Sequence, residues 1–481
     1  MKRIITIVLR EYSPTWIILL IASCTFSLLS LFDYFNLFLS FSLLFCTLLY
    51  SILSSLSMSK KHKVYSIMSG NFLAICTLTL LFLVTPTFRY LFELELPSIF
   101  ARRDWQSHYS NMNLLVSSAV LALKSGEKFQ IQQSNSMITR QSTFPLMTSQ
   151  RSRQILFWYS SLIVICLTYL YAAWVSKQGG WSQVVFGTRA LRRSIEVDLS
   201  NGYALDSLFG IFGILTFWYF IQLRRGSTRT NYFLLLCVIP LVPSLATGNR
   251  FFTIYYTLVL VLIWLSSGKR VRKSRFILAL VILSIVVTVP REYRGLLERP
   301  SPTQLIGLFS EANLIKTISG EDLAMAPGFS ILLANEEFIN TRLYGMTYLQ
   351  MLTKPIPRSI WQGKPTPLSN RIMVENFPDV YKYTGFAFSA LCEPYINFGF
   401  PGVIVFFFIL GFVWQRLYRL AVIEKSSWGI YFNAWIASFA VYLMRGDLSI
   451  DIQRCAFPLI VSLVPIFLLE RFHKTSISKN L

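Results

Sequence analysis

Lys354-Pro355-Ile356-Pro357-Arg358-Ser359-Ile360-Trp361-Gln362-Gly363-Lys364-Pro365, and after it Cys392-Glu393-Pro394-Tyr395-Ile396-Asn397-Phe398-Gly399, lie in the one long polar stretch of this chain, roughly residues 291–397. On both sides the sequence is apolar for long runs. The 481 residues are 54% hydrophobic with a mean hydropathy of +0.52, too apolar for a soluble domain. Runs long enough to cross a hydrocarbon core, about 20 residues, recur along the chain. A transmembrane β-barrel would instead alternate in segments of about 10 residues, and no such alternation is present. The pattern predicts an all-α polytopic membrane protein, with 291–397 as the place for chemistry outside the bilayer.

The formal charge of +22 invites a nucleic-acid reading. The Lys and Arg residues, however, cluster in short connections between apolar runs, where the positive-inside bias puts them. No nucleic-acid partner is expected. The seven Cys are scattered without a CxxC, and the three His (His62, His108, His473) lie far apart, so neither metal nor cofactor is expected. No small-residue cleavage site follows the first apolar segment, which reads as a retained helix.

Spans are predicted near 15–33, 36–57, 71–88, 154–176, 203–222, 231–246, 251–267, 276–290, 399–419, 428–444 and 455–470. The basic connections that flank them can all be cytoplasmic only if one further crossing exists, and 105–123 is the candidate. Lys124 to Arg153 then form an inside connection. The parity predicts about twelve transmembrane helices with both termini cytoplasmic. The chain divides into an N-terminal transmembrane bundle (1–290), a large extracytoplasmic loop (291–397) and C-terminal transmembrane helices (398–481). Residues 177–202, 247–250 and 445–454 join the loop on the outer side. Acidic and basic residues balance within 291–397, unlike an inside loop, and apolar patterns near 303–318 and 328–340 predict short helices there.

Several residues in these outer connections could carry chemistry. Arg250, in Thr247-Gly248-Asn249-Arg250, is either a snorkelling residue at a tight turn or a functional cation, since a positive-inside chain should avoid arginine on the far side. Arg291 and Arg294 open the large loop three residues apart, so on a continued helix they share a face. Two guanidiniums there suit diphosphate oxygens; interfacial anchoring beside Tyr293 is the alternative. From Arg342 and Tyr344 through Lys354, Arg358, Trp361 and Lys364, proline-stiffened backbone carries cations and an aromatic platform. That combination fits a phosphorylated glycan, or a basic face against anionic lipid. Glu393, just before a span, is either a general base or a structural partner of an arginine. Arg445-Gly446-Asp447 ranks lower, because its charges can satisfy each other.

At these residues the chain resembles the Wzy-type O-antigen polymerases, the oligosaccharide repeat-unit polymerases of bacterial surface polysaccharide. The resemblance rests on Thr-Gly-Asn-Arg at 247–250, Tyr-Gly-x-Thr-Tyr at 344–348, Ile-Pro-Arg-Ser-Ile-Trp-x-x-Lys-Pro at 356–365 and Glu-Pro-Tyr-Ile-Asn-Phe-Gly at 393–399, and covers mainly 247–411. It implies a GT-C-like glycosyltransferase of the bacterial inner membrane that needs no nucleotide sugar or obligatory metal. The implied donor is an oligosaccharide on undecaprenyl diphosphate, and the acceptor is a second lipid-linked unit. On this reading Glu393, Arg291 and Arg294 are the catalytic candidates, and Arg250, Arg342, Tyr344, Lys354, Arg358, Trp361 and Lys364 bind substrate. Membrane lipid, a flippase and a chain-length regulator are the other partners considered. An Arg-x10-Gly loop pattern found in some members is absent. An O-antigen ligase and a lipid-linked oligosaccharide flippase or transporter are the rival readings. The ligase family relies on a loop His, and 291–397 contains none.

Overall fold

The computed structural model of the protein describes residues 37–62, 68–92, 108–134, 150–177, 202–241, 250–266, 323–335, 340–353, 356, 360–361, 368–376, 388–448, 451–452 and 454–464. Among them every regular element is helical, as expected where lipid offers the backbone no hydrogen bonds. In chain order, α1 is Leu37–His62, α2 Gly70–Leu91, α3 Tyr109–Ser134, α4 Gln150–Lys177, α5 Gly202–Arg224, α6 Thr230–Val238 and α7 Arg250–Leu265. Then follow α8 Met325–Ala334, α9 Met346–Thr353, α10 Leu368–Asn376, α11 Cys392–Tyr418, α12 Ser427–Arg445 and α13 Arg454–Val464.

Five helical stretches among the described residues are long and apolar enough to cross a membrane: Leu39–Leu56, Gly70–Leu91, Gln154–Ser176, Ser207–Arg224 and Cys392–Ile423. The protein is a helical, membrane-embedded one. The segments 15–33 and 276–290 and the whole of 291–322, with Arg291, Arg294 and the helix expected at 303–318, lie outside the described residues. The crossing expected at 105–123 falls in α3, which runs on through Ser134 and is not among these five stretches. Lys124, where the inside connection was expected to begin, is helical. It lies fully buried within α3, 2.7 Å from Glu127 and 3.2 Å from the Ser55 hydroxyl of α1. A neighbouring carboxylate one turn away lets a charged residue stay inside a helix that hydropathy alone would end.

Close approaches and aromatics set the packing. Against α11, a Cβ on Gly126 would lie 2.0 Å from the Phe408 carbonyl oxygen, and one on Gly411 would lie 2.0 Å from that of Leu123. Only glycines permit this approach of α3 and α11. Trp435 of α12 gathers Phe212 of α5 and Tyr255 and Tyr256 of α7, each 5.8–5.9 Å away between ring centroids. The Tyr431 hydroxyl donates to the Gly213 carbonyl and lies 3.1 Å from Ser462 of α13. In α2 a π-helical turn, Leu80–Val84, precedes Pro86. Proline has no N–H and crowds the carbonyl four residues back, and the wider turn relieves that crowding.

α11 is broken in the same way near its start. Pro401 stands inside it, and Gly399 adopts φ 67°, ψ −154°, a region that essentially only glycine occupies. The span expected from 399 therefore starts as a short preceding helical piece, 392–398, then kinks and crosses.

Candidate functional site

A helix break leaves carbonyls without partners, and here a strap from the loop supplies donors. The N–H groups of Leu343 and Tyr344 donate to the carbonyls of Ile396 and Asn397, each at 3.2 Å. Arg342 Nη1 donates to the Tyr395 carbonyl at 2.8 Å, with the guanidinium 5.1 Å over the Tyr395 ring. The strap turns sharply at Tyr344 (φ 44°) and Gly345 (φ 88°).

Asn397 closes this junction. It is fully buried; its Oδ1 accepts from the Gly345 N–H at 2.8 Å, and its Nδ2 donates to Thr347 Oγ1 and to the Glu393 carbonyl, both at 2.7 Å. The two sequence patterns 344–348 and 393–399 thus hold each other.

On its other side the start of α11 is fixed to the end of α12. The Ser389 N–H donates to the Arg445 carbonyl at 2.9 Å, and the Ser389 hydroxyl and the Ala390 N–H donate to the Met444 carbonyl at 3.1 and 3.4 Å. These bonds satisfy terminal carbonyls of α12. Ser389 does this with φ 75°, a strained value for a non-glycine residue.

The two fastenings bring buried carboxyl groups together. Glu393 is 1% exposed and Asp447 2%. Asp447 sits beyond the end of α12. Burial, then the charges of Glu393 and Asp451, push its carboxyl well above the usual carboxylate range, with Ser369 of α10 partly opposing the rise. No described residue hydrogen-bonds either Asp447 oxygen within 3.5 Å. Ser369 therefore acts at longer range. Asp451 is paired differently: Arg454 Nη1 lies 2.8 Å from its Oδ1 and also donates to the Tyr442 hydroxyl. A Cβ on Gly446 would lie 2.0 Å from Asp451 Oδ2, so a larger residue there would displace that carboxylate. The Tyr348 hydroxyl is raised far above its usual range by burial, then by Glu393 and Cys392.

The sequence-predicted site residues distribute as follows. Glu393 lies in the cluster. Arg342 is next to it, engaged with Tyr395. Tyr344 is 78% exposed on the strap and Trp361 40% exposed beyond it. Arg250 begins α7, whose Tyr255 ring lies 6.4 Å from that of Tyr442 and whose Tyr256 hydroxyl lies 3.5 Å from the Arg454 carbonyl. The backbone of Arg250 is thus at the same end of the bundle, about five residues or ~7.5 Å up the helix from Tyr255. Lys354, Arg358 and Lys364 lie outside the described residues. Sequence reasoning missed Asn397, Ser389 and Asp451, and ranked Asp447 too low. Asn397 stands one helical turn after Glu393, a spacing that could have flagged it.

Among the described residues no group of His, Cys, Asp and Glu is arranged to hold a metal ion. Neighbouring buried carboxyls do not readily ionise together, so one of such a pair tends to keep its proton. The chain matches no family model, no curated protein and no solved structure.

Proposed function

We propose that the protein polymerises lipid-linked oligosaccharide repeat units into bacterial surface polysaccharide at the outer face of the inner membrane. One observation carries the reading: Glu393 and Asp447 are buried together where a broken membrane helix meets the large loop. In support stand the arginine-bearing start of α7 at the same end and the resemblance of 247–411 to the polymerases. The GT-C-like architecture, about twelve spans and cytoplasmic termini belong to this proposal.

In the proposed reaction the ionised Glu393 carboxylate takes the proton from the acceptor sugar's hydroxyl. The hydroxyl oxygen then bonds to the donor's anomeric carbon, and the bond from that carbon to the diphosphate oxygen breaks. Undecaprenyl diphosphate leaves with the electron pair. Asp447, held protonated, keeps a second negative charge out of the site. Arg250, Arg291, Arg294 and Arg358 are the candidates to meet charge developing on the leaving diphosphate. With Glu393 so deeply buried, the acceptor reaches it when the 342–348 strap shifts.

The test is polymerisation in vesicles with a defined lipid-linked repeat unit. General-base help contributes about 10²–10⁴-fold. Glu393→Gln is therefore expected to bind substrate and polymerise at least ~100-fold more slowly. A near-normal rate would remove Glu393 as the base. Buried protonatable carboxyls at a membrane mouth also suit a proton-coupled transporter of the same lipid-linked substrate. Transport of the lipid-linked unit without any glycosidic bond formed would favour that reading.

A further inference from the structure

α9 carries its polar and apolar faces the wrong way round for a helix in a water-exposed loop. Thr347 is buried, and the Tyr348 ring stacks on Phe406 of α11 at 6.4 Å. Met346, Leu349 and Leu352, spaced three apart and therefore along one side of the helix, point outward at 52%, 55% and 75% exposure. Ile356, whose N–H continues the turn onto the Thr353 carbonyl, extends the stripe. Below it, α11 exposes Phe398, Val405, Ile409 and Val413 along one face. The stretch Cys392–Ile423 is long and apolar enough to cross a membrane, and lipid suits such a face.

The two surfaces are continuous. A Cβ on Gly345, at the start of α9, would lie 3.3 Å from the Phe398 ring, and Tyr348 covers Phe406 in the next turns of α11. We infer that α9 is an interfacial helix whose Met346–Leu349–Leu352–Ile356 face is sunk in the acyl region of the adjoining leaflet. The chemistry is that of an amphipathic membrane-surface helix. Exposed Tyr344 suits the aromatic interfacial zone, and in sequence Lys354 and Arg358 follow the stripe, as cations do beside anionic headgroups. The strap that holds Asn397 is then fastened on one side by protein and on the other by the bilayer. This inference goes beyond the proposed polymerase activity and does not depend on it.

The experiment is photocrosslinking of the full chain reconstituted in phosphatidylethanolamine–phosphatidylglycerol vesicles. A genetically encoded benzoylphenylalanine replaces Leu349 or Leu352, with Ile409 on α11 as the lipid-facing reference and Glu375 on α10 as the aqueous one. Adducts with phospholipid acyl chains are expected at Leu349, Leu352 and Ile409, and none at Glu375. Lipid adducts at Ile409 without any at Leu349 and Leu352 would overturn the inference. So would adducts at those two positions formed with a second copy of the chain in place of lipid.

Discussion

Replacing Asn397 tests the junction on which the site depends. Its side chain makes three hydrogen bonds of 2.7–2.8 Å inside the protein, using its acceptor and its donor group. Asn397→Ala leaves the Gly345 N–H and the Thr347 hydroxyl without their partner. A buried polar group left unsatisfied costs about 1–3 kcal/mol, so the variant should lose about 2–4 kcal/mol in equilibrium unfolding in mixed micelles. Thr347→Val removes only one of the three bonds and should cost about 1 kcal/mol. Because the two residues share a bond, the double variant should cost about 0.5–1.5 kcal/mol less than the sum of the singles. Asn397→Asp keeps an acceptor for Gly345 but turns a carboxylate toward the Glu393 carbonyl and adds charge beside Glu393. It should therefore be no better than alanine at neutral pH. Strictly additive costs for Asn397→Ala and Thr347→Val would refute the bond. An Asn397→Ala protein within about 0.5 kcal/mol of wild type would refute the clamp itself.

Three other outcomes are expected. The raised Asp447 carboxyl means that the folded state binds a proton that the unfolded state, with an ordinary carboxylate pKa of about 3.9, has already released. Stability should fall as pH rises from the ordinary carboxylate range through the folded pKa. Asp447→Asn should flatten that fall in thermal unfolding, and an unchanged pH profile would contradict it. Lys124→Met takes the 2.7 Å partner from buried Glu127, leaving it the weaker attraction of Lys128, and should cost up to about 3–5 kcal/mol, whereas Lys124→Met with Glu127→Leu should recover most of it; a double variant as unstable as the single would contradict the pairing. Gly399→Ala must adopt a backbone conformation that side chains avoid, with the Arg342 guanidinium 3.4 Å from the new Cβ, and should cost about 1–3 kcal/mol, measurable as a lowered unfolding midpoint.

Much of the helical architecture was legible because length and hydropathy are local properties. α4, α5 and α7 fall within a few residues of the ranges expected at 154–176, 203–222 and 251–267. α3 runs further than the 105–123 expected, because a hydropathy sum counts Lys124 and Glu127 as two penalties, while in the folded helix they pair at 2.7 Å. Glu393 could be singled out because a carboxylate at a membrane edge needs a partner. Its nearness to Asp447 was not legible, because Asp447 lies 54 residues further on (447 − 393), and Arg445 two residues before Asp447 invited the assumption of local pairing. Arg342 could be recognised as a cation beside the site, but not as one engaged with the Tyr395 carbonyl, since that bond exists only once α11 breaks.

The break itself links sequence to site. Pro401 cannot donate to the carbonyl of Asn397 and would collide with it in a regular helix. Gly399 provides the conformation that lets the chain turn away, and the carbonyls of residues 395–397 become acceptors in search of donors. The strap at 342–345 meets all three. In doing so it holds Asn397 and the first turn of α11 from one side, while Ser389 and Ala390 tie that turn to the end of α12 from the other. A substitution that restored a continuous helix here would leave the strap's N–H groups without acceptors.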